Sequence, residues 1–345
     1  MTGEEVVSGR ALVGRTLEVR DVTIVVRSGK IMAVEDESRA SSRWICPAFF
    51  NSHTHLGDTV AMDIPFEGTL ADLVAPPGGL KHRILESTPR NRLVSGMRAS
   101  IRSMIRTGTA GFADFREGGC EGVRALASAS RGLPCHPVIF GREGGEMIAD
   151  GLGVSSTRDV SSLDAQVEEA RKNGRLIAFH AGEHDSDDIW SALAYEPDLL
   201  IHCTYAEPEH LKACADSGVP VAVCPRSNWD LGVTASRERP PVKKMFDLGV
   251  KVLLGTDNAM SVQPDMAAEM AYMRTLYRAG SAETLDAAIG GSEVFGSPYY
   301  IEPGNTASFF IIDAARWNTR FTLDQVATIT KRLNAAMIVK KVFSS

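Results

Sequence analysis

Ile45-Cys46-Pro47-Ala48-Phe49-Phe50-Asn51-Ser52-His53-Thr54-His55 divides the chain into two rhythms. Before Pro47 the sequence reads as small antiparallel hairpins. Arg10–Val13, Thr16–Val19, Val22–Arg27 and Lys30–Val34 are short β-branched runs, broken by Gly14, Asp21 and the pair Ser28-Gly29. After Pro47, short apolar strands alternate with amphipathic helical stretches, the pattern of a parallel α/β domain. Ile45–Asn51 is the first candidate strand of that domain. Two histidines, spaced two residues apart, follow its end.

Seven further candidate strands follow: Thr109–Asp114, Cys135–Phe140, Gly151–Ser155, Leu176–His180, Leu199–His202, Val219–Cys224 and Lys251–Gly255. Helical patterns separate most of them, at Asn91–Arg106, Gly122–Ser130, Ser162–Asn173, Asp187–Ala194, Pro208–Asp216 and Val242–Asp247, and Pro264–Ala279 follows the last. Eight strands alternating with helices predict a (β/α)8 TIM barrel. An open doubly wound sheet shares the alternation and is the competing arrangement. One connection is awkward, because only Gly141 to Asp150 separates the third and fourth strands, and a parallel crossover needs about a dozen residues. Either that unit lacks a helix or one strand is misplaced. The tail returns to β character at Ala307–Asp313 and Ala335–Val342. The expected organisation is therefore an α/β barrel over 47–298, with a small β-sandwich made from both termini, 1–46 and 299–345.

Composition narrows the classes. The chain has 345 residues, 44% hydrophobic, and a net charge of -6, enough for one large core plus a small domain. The mild acidity offers no footprint for nucleic acid or an anionic membrane. No apolar run reaches the roughly 18 residues of a membrane-spanning helix. Met1–Arg20 is charged and has no apolar signal region. Six scattered cysteines without C-x-x-C spacing read as reduced thiols. A cytoplasmic protein is expected.

The chemistry starts with His53-Thr54-His55. In a strand, residues two apart point to the same side, so both imidazoles can converge on one divalent ion. Alone the pattern is weak, and incidental histidines would explain it. Three more features fall at the ends of later strands: His180-Ala181-Gly182-Glu183, His202, and Thr256-Asp257-Asn258. In a barrel those ends form one active face. A core histidine or a capping aspartate explains any one of them, but the recurrence at one kind of position favours a catalytic metal site with an open position. Lower-ranked candidates are Arg226, Ser227 and Asn228 as substrate contacts, and His184, His136, Trp229, Asp114, Arg116 and Glu117. Pro76-Pro77-Gly78-Gly79 with Lys81, His82 and Arg83 reads as a solvated basic turn, with a lid as the alternative. Gly141-Arg142-Glu143-Gly144-Gly145 has the wrong spacing for a nucleotide-binding glycine fingerprint.

These segments, taken with Gly108-Thr109-Ala110, His202-Cys203-Thr204, Cys224-Pro225-Arg226-Ser227-Asn228 and Ile301-Glu302-Pro303-Gly304-Asn305-Thr306-Ala307, resemble the amidohydrolase superfamily in order along nearly the whole chain. The closest likeness is to the branch of S-adenosylhomocysteine, guanine and cytosine deaminases and atrazine chlorohydrolase. The resemblance implies one divalent metal ion, zinc with Fe2+ as the alternative, held by His53, His55, His180 and Asp257. It implies Glu183 as proton shuttle, His202 as the residue that polarises the group under attack, and Asp257 as acceptor of the water's proton. Two-metal members carry a carboxylated lysine on the fourth strand. Gly151–Thr157 has none, and Lys172 falls in a helix, so a mononuclear site is expected.

By the same resemblance the reaction is metal-hydroxide attack on an amino-substituted heterocycle of purine, pterin or pyrimidine type. A chlorohydrolase, a cyclic-amide hydrolase, or a metal-bound scaffold without turnover are the alternatives. Many deaminases of the branch have a substrate-contacting histidine after the fourth strand, whereas Gly153–Asp159 has none. The substrate is therefore less well specified than the reaction. A small-molecule substrate is the expected partner, and a homodimer is implied only at family level.

Overall fold

The structure is a computed structural model. It describes residues 4–344 except 40, 66, 67, 69, 75–77, 159 and 161, and only the backbone of 70 and 71. Pro76 and Pro77 of the expected loop, and Asp159, lie outside the described residues.

The N-terminal part supplies β1 (Glu4–Val13), β2 (Glu18–Arg27), β3 (Lys30–Asp36) and β4 (Arg43–Pro47). Asp21, expected to break a strand, instead lies within β2. It faces Arg10 across the β1–β2 ladder, and the pair closes at 3.0 Å. A cross-strand ion pair tolerates an aspartate that strand propensity disfavours. The barrel strands are β5 (Phe49–His55), β6 (Thr109–Arg116), β7 (His136–Gly141), β8 (Gly151–Val154), β9 (Leu176–Ala181), β10 (Leu199–His202), β11 (Val221–Val223), β12 (Val252–Leu254) and β13 (Asp257–Asn258). The C-terminal part adds β14 (Ser308–Asp313) and β15 (Ile338–Phe343).

Both termini build one small β domain, as expected. Its strand order is β15-β14-β4-β1-β2-β3. Ile24, Ile31, Ile45, Phe309 and Val342, from five of its strands, share one apolar cluster. Ile45–Asn51 does not remain a single strand. Ala48 N donates to Ser308 O at 2.9 Å, and the next residue, Phe49 N, donates to Gly108 O at 3.0 Å. Adjacent residues thus bond into different sheets, and the barrel strand starts at Phe49 and runs on to His55.

The second sheet runs β12-β11-β10-β9-β8-β7-β6-β5-β13, with every pairing parallel. β12 and β13 are two parts of the eighth strand, so the sheet meets itself. Gly255 N donates to Val223 O on one side, and Thr256 N donates to His53 O on the other, both at 3.0 Å. Glycine is required at the seam, because a Cβ on Gly255 would lie 2.7 Å from the His53 Cβ and 2.8 Å from its backbone nitrogen. The closed TIM barrel is the arrangement present, not the open sheet.

The short connection after β7 lacks an α-helix. One 3₁₀ turn, Gly145–Met147, packs on Gly141, and Asp150 turns back to accept Ile139 N at 2.8 Å. The predicted helices occur at Arg90–Arg106, Gly119–Ser130, Leu163–Lys172, Ile189–Leu193, Pro208–Ser217, Val242–Asp247 and Met266–Leu276. A further helix, Gln325–Arg332, interrupts the β-rich tail. Asp324 caps it by accepting Ala327 N, and it packs on Met266–Leu276. No helix among the described residues is long and apolar enough to cross a membrane, and all six cysteines are free.

Candidate metal centre

The C-terminal ends of the barrel strands bring the distant candidates together. His53 and His55 end β5, His180 lies in β9 with Glu183 just beyond it, His202 ends β10, and Asp257 opens β13. His53 is fully buried, and its ring lies 4.9 Å from that of His55, 4.8 Å from His180 and 5.6 Å from His202. Phe115 packs beside His53 and His180, at 4.6 and 5.0 Å between ring centres. Asp257 Oδ1 stands 3.2 Å from His53 Nε2 and 3.5 Å from His55 Nε2.

Hydrogen bonds fix which ring nitrogens are free. His180 Nδ1 lies 2.9 Å from the Val154 carbonyl. A carbonyl only accepts, so Nδ1 carries the proton and Nε2 keeps its lone pair. His55 Nδ1 lies 3.0 Å from Glu117 Oε1, which implies the same tautomer. Ser227 Oγ donates to Asp257 Oδ2 at 2.7 Å. Two donors in the centre adopt left-handed backbone, His202 at φ +71° and Asp257 at φ +61°. Such conformations cost of order 1–3 kcal/mol in non-glycine residues and gather at functional sites.

The electrostatics suit a cation. Burial holds His53 and His180 below the ordinary imidazole range. Burial, aided by the Lys81 ammonium, pushes His55 down to about 3. Burial alone would raise Asp257, but the surrounding imidazoles outweigh it and hold the carboxyl well below its usual range. Nδ1 of His53 and Nδ1 of His202 lack a hydrogen-bond partner although buried, and Nε2 of His53 has the 3.2 Å approach of Asp257 Oδ1. His53, His180 and His202 form one set, and His53, His55 and Asp257 another, whose donor atoms lie within 4.8 Å of one another. Imidazole nitrogens and a carboxylate converging in a buried site fit a divalent ion of the zinc type.

The centre forms the floor of a cleft of about 220 Å³. Glu183 lines it, part-exposed, with Oε1 3.8 Å from His202 Nε2. Ser155, Ser156 and Arg158, from the segment after β8, also line it, as does His184 after β9. Arg158 is held by both carboxylate oxygens of Asp185, at 2.6 and 2.9 Å.

Three expected substrate contacts turn away from the cleft. Arg226 binds the buried Glu269, Nε to Oε2 at 2.6 Å. Ser227 supports Asp257. Asn228 donates to Thr204 Oγ1 at 3.0 Å. The strand before them is short, and the helix Pro225–Asp230 starts at once, turning these side chains into the barrel wall. Trp229 and His136 are also absent from the lining.

The basic turn after β5 is not solvated at Lys81 and His82, which are 3% and 7% exposed, although Arg83 is exposed. Lys81 Nζ bridges Asp58 Oδ2 at 3.1 Å and Glu117 Oε1 at 2.8 Å. Arg142 reaches the same Glu117 oxygen at 3.1 Å, and Arg116 bonds Glu117 and Asp114. Lys81, Glu117 and Arg142 all line the cleft. Burial would raise Glu117, but Lys81, Arg116, His55 and Arg142 hold it well below the carboxylate range. Only the offset of Glu117 past the second barrel strand hinted at this wall in the sequence.

A barrel with converging histidines and an aspartate at its C-terminal face suits a metal-dependent hydrolase. Comparison with known proteins agrees. Residues 44–151 match the model of the amidohydrolase family, and residues 147–294 match that of adenosine deaminase. A protein of Methanothermobacter thermautotrophicus, provisionally named an aminohydrolase, is 34% identical over 89% of this chain and 90% of its own length. A 5-methylthioadenosine/S-adenosylhomocysteine deaminase of Dictyoglomus thermophilum is 25% identical over 77% of this chain and 72% of its own. Among solved structures, zinc-complexed atrazine chlorohydrolase of Arthrobacter aurescens TC1 superposes with a TM-score of 0.80 at 16% identity, covering 98% of this chain and 93% of that one. Guanine deaminase of Clostridium acetobutylicum, with guanine in its active site, gives 0.71 at 15%, covering 99% and 98%. The structural likenesses show the shared fold. The chain belongs to the amidohydrolase superfamily, among its hydrolases of carbon–nitrogen bonds.

Proposed function

We propose that this protein is a metal-dependent aminohydrolase that releases ammonia from an amino-substituted heterocycle of purine, pterin or pyrimidine type. The observation that carries the reading is the pair of donor sets that share His53, one with His55 and Asp257 and the other with His180 and His202, beneath a cleft that Glu183 lines. In this reading His53, His55, His180 and Asp257 hold one divalent cation, zinc or iron(II), since imidazole and carboxylate accept both. When bound, the cation supplies Lewis acidity and draws the pKa of water toward roughly 7. Asp257, kept ionised among the imidazoles, accepts the proton of the attacking water. Glu183 passes a proton to the ring nitrogen or the leaving amine, where charge develops in the transition state. His202, with Nε2 facing Glu183, orients the exocyclic group.

A single cation is supported by β8, Gly151–Val154, which has no lysine to carboxylate. Lys81 also lines the cleft, but Asp58 and Glu117 outweigh burial and keep it an ammonium without a lone pair. The named deaminase relative and the neighbour with bound guanine favour an aminopurine-like ring over the other classes.

The test is ammonia release by metal-loaded protein across a heterocycle library. Glu183→Gln is expected to lower the rate by about 10²–10⁴-fold, the usual value of a proton-transfer residue. Chloride or a ring-opened acid, without ammonia, would overturn the deaminase reading. No turnover of any compound would favour a scaffold.

A further inference from the structure

We infer that Glu117 is a positioning residue of the metal centre, fixing the ring of His55 so that its Nε2 faces the cation site. The inference rests on the metal-dependent reading above. Glu117 follows β6 and is 5% exposed. Its Oε1 accepts from His55 Nδ1 at 3.0 Å. A carboxylate has no proton to donate, so this contact sets the tautomer and leaves Nε2, 3.5 Å from Asp257 Oδ1, as the free donor atom.

The carboxylate is itself fixed from three directions. Lys81 comes from the helix Leu80–Ser87, Arg142 from the turn after β7, and Arg116 from β6. Arg116 and Arg142 between them hold both carboxylate oxygens, so the orientation does not depend on Lys81. A partner that orients a ligating imidazole and raises its basicity contributes about 10–100-fold in metal affinity. His180 meets the same need with the Val154 carbonyl. His55 has no backbone acceptor on Nδ1 among the described residues, and Glu117 fills that place.

A cluster serving stability alone makes a different prediction, and Lys81 separates the two. Its ammonium strengthens the buried cluster, yet as a positive charge beside His55 it repels a bound cation. Replacing it removes stability and repulsion together. Replacing Glu117 with methionine removes the acceptor of the ring proton, and among the described residues no other group accepts from that Nδ1.

The experiment measures zinc affinity by chelator competition on the full chain, with the visible spectrum of the cobalt(II) form as second readout. Glu117→Met, which has no oxygen to accept the ring proton, is expected to bind zinc about 10–100-fold more weakly and to change the cobalt spectrum. Lys81→Met is expected to melt at lower temperature while binding zinc as tightly as wild type or more so. Equal affinity in Glu117→Met overturns the inference. So does a loss in Lys81→Met as large as that in Glu117→Met, because cluster integrity would then be the cause. Should Glu117→Met fail to fold, ¹⁵N spectra of the metal-free wild-type imidazoles decide: protonation of His55 at Nδ1 supports the inference and protonation at Nε2 refutes it. Wild type that binds no cation refutes the metal-dependent reading and this inference with it, whereas tight wild-type binding with an unaltered Glu117→Met refutes only the inference.

Discussion

Replacing Ser227 with alanine is expected to act through Asp257, not through the substrate. Ser227 is fully buried, and its hydroxyl gives Asp257 Oδ2 a 2.7 Å hydrogen bond. The other oxygen, Oδ1, faces His53 and His55. Among the described residues, Oδ2 has no other donor. A hydrogen bond to a charged group contributes about 1.5–3 kcal/mol, and an abandoned buried oxygen is not solvated in compensation. At about 1.4 kcal/mol per factor of ten, the anionic form of Asp257 loses roughly 10–100-fold of its preference. Since Asp257 both faces the cation site and accepts the water's proton in the proposed reaction, kcat falls by a comparable factor with KM little changed. The pH dependence has a definite sign. Asp257 is depressed in the folded state, so its stabilisation is present above the ordinary carboxylate pKa of 3.8 and is lost as pH falls through the lower folded value. Ser227→Ala raises the folded value and narrows that window. Steady-state ammonia release and urea unfolding of the metal-free protein measure both effects. A raised KM with unchanged kcat and unchanged stability would refute the reasoning and restore Ser227 as a substrate contact.

Gly255→Ala puts a methyl 2.7 Å from the His53 Cβ and 3.0 Å from its carbonyl oxygen, at the barrel seam. Overpacking of this kind costs about 1–3 kcal/mol. Calorimetry is expected to give a lower Tm and metal analysis a lower occupancy, and wild-type values for both would contradict the closure described above. For the metal-free protein, acidification from pH 6.5 to 5 is expected to lower stability. Unfolded histidine titrates near 6.5, while burial holds His53, His55 and His180 neutral in the fold. The unfolded chain therefore takes up protons that the folded chain refuses, at a limit of about 1.4 kcal/mol per pH unit for each ring. His82 and His136, also lowered by burial, add to this, while Asp58, pushed up to about 7 by burial, and the raised Asp114 and Glu269 oppose it. Melting curves at several pH values in chelator that show no fall in Tm would refute it.

The barrel was legible because parallel strands buried on both faces must be short apolar runs, and the helices between them must show a 3.6-residue period. The seam was not. Ile45–Asn51 reads as one strand because nothing local marks Ala48 as the residue where hydrogen bonding passes from Ser308 to Gly108. Asp21 reads as a break because its partner, Arg10, becomes a neighbour only once β1 and β2 pair. The crossover after β7 was readable as a problem, since chain length alone limits what ten residues can span, and the single 3₁₀ turn is the solution.

The same distinction separates the ligand candidates from their supports. A cation site needs specific donor atoms, so histidines and an aspartate at strand ends stand out wherever they fall in the sequence. The groups that orient those donors need only accept one hydrogen bond, and many groups qualify. His180 uses a backbone carbonyl, which leaves no trace in the sequence, while His55 uses Glu117, a residue type ordinarily found on surfaces. Lys81 is equally unmarked. Its burial results from pairing with Asp58 and Glu117, 23 and 36 residues away, and a lysine in a charged turn is solvated unless such partners arrive. Arg226 shows the converse: a cation beside a strand end suggests a substrate contact until Glu269, from a later helix, binds it first. Sequence position therefore marks the candidate donors of the proposed centre, while the fold alone determines which charges near them remain free to meet a substrate.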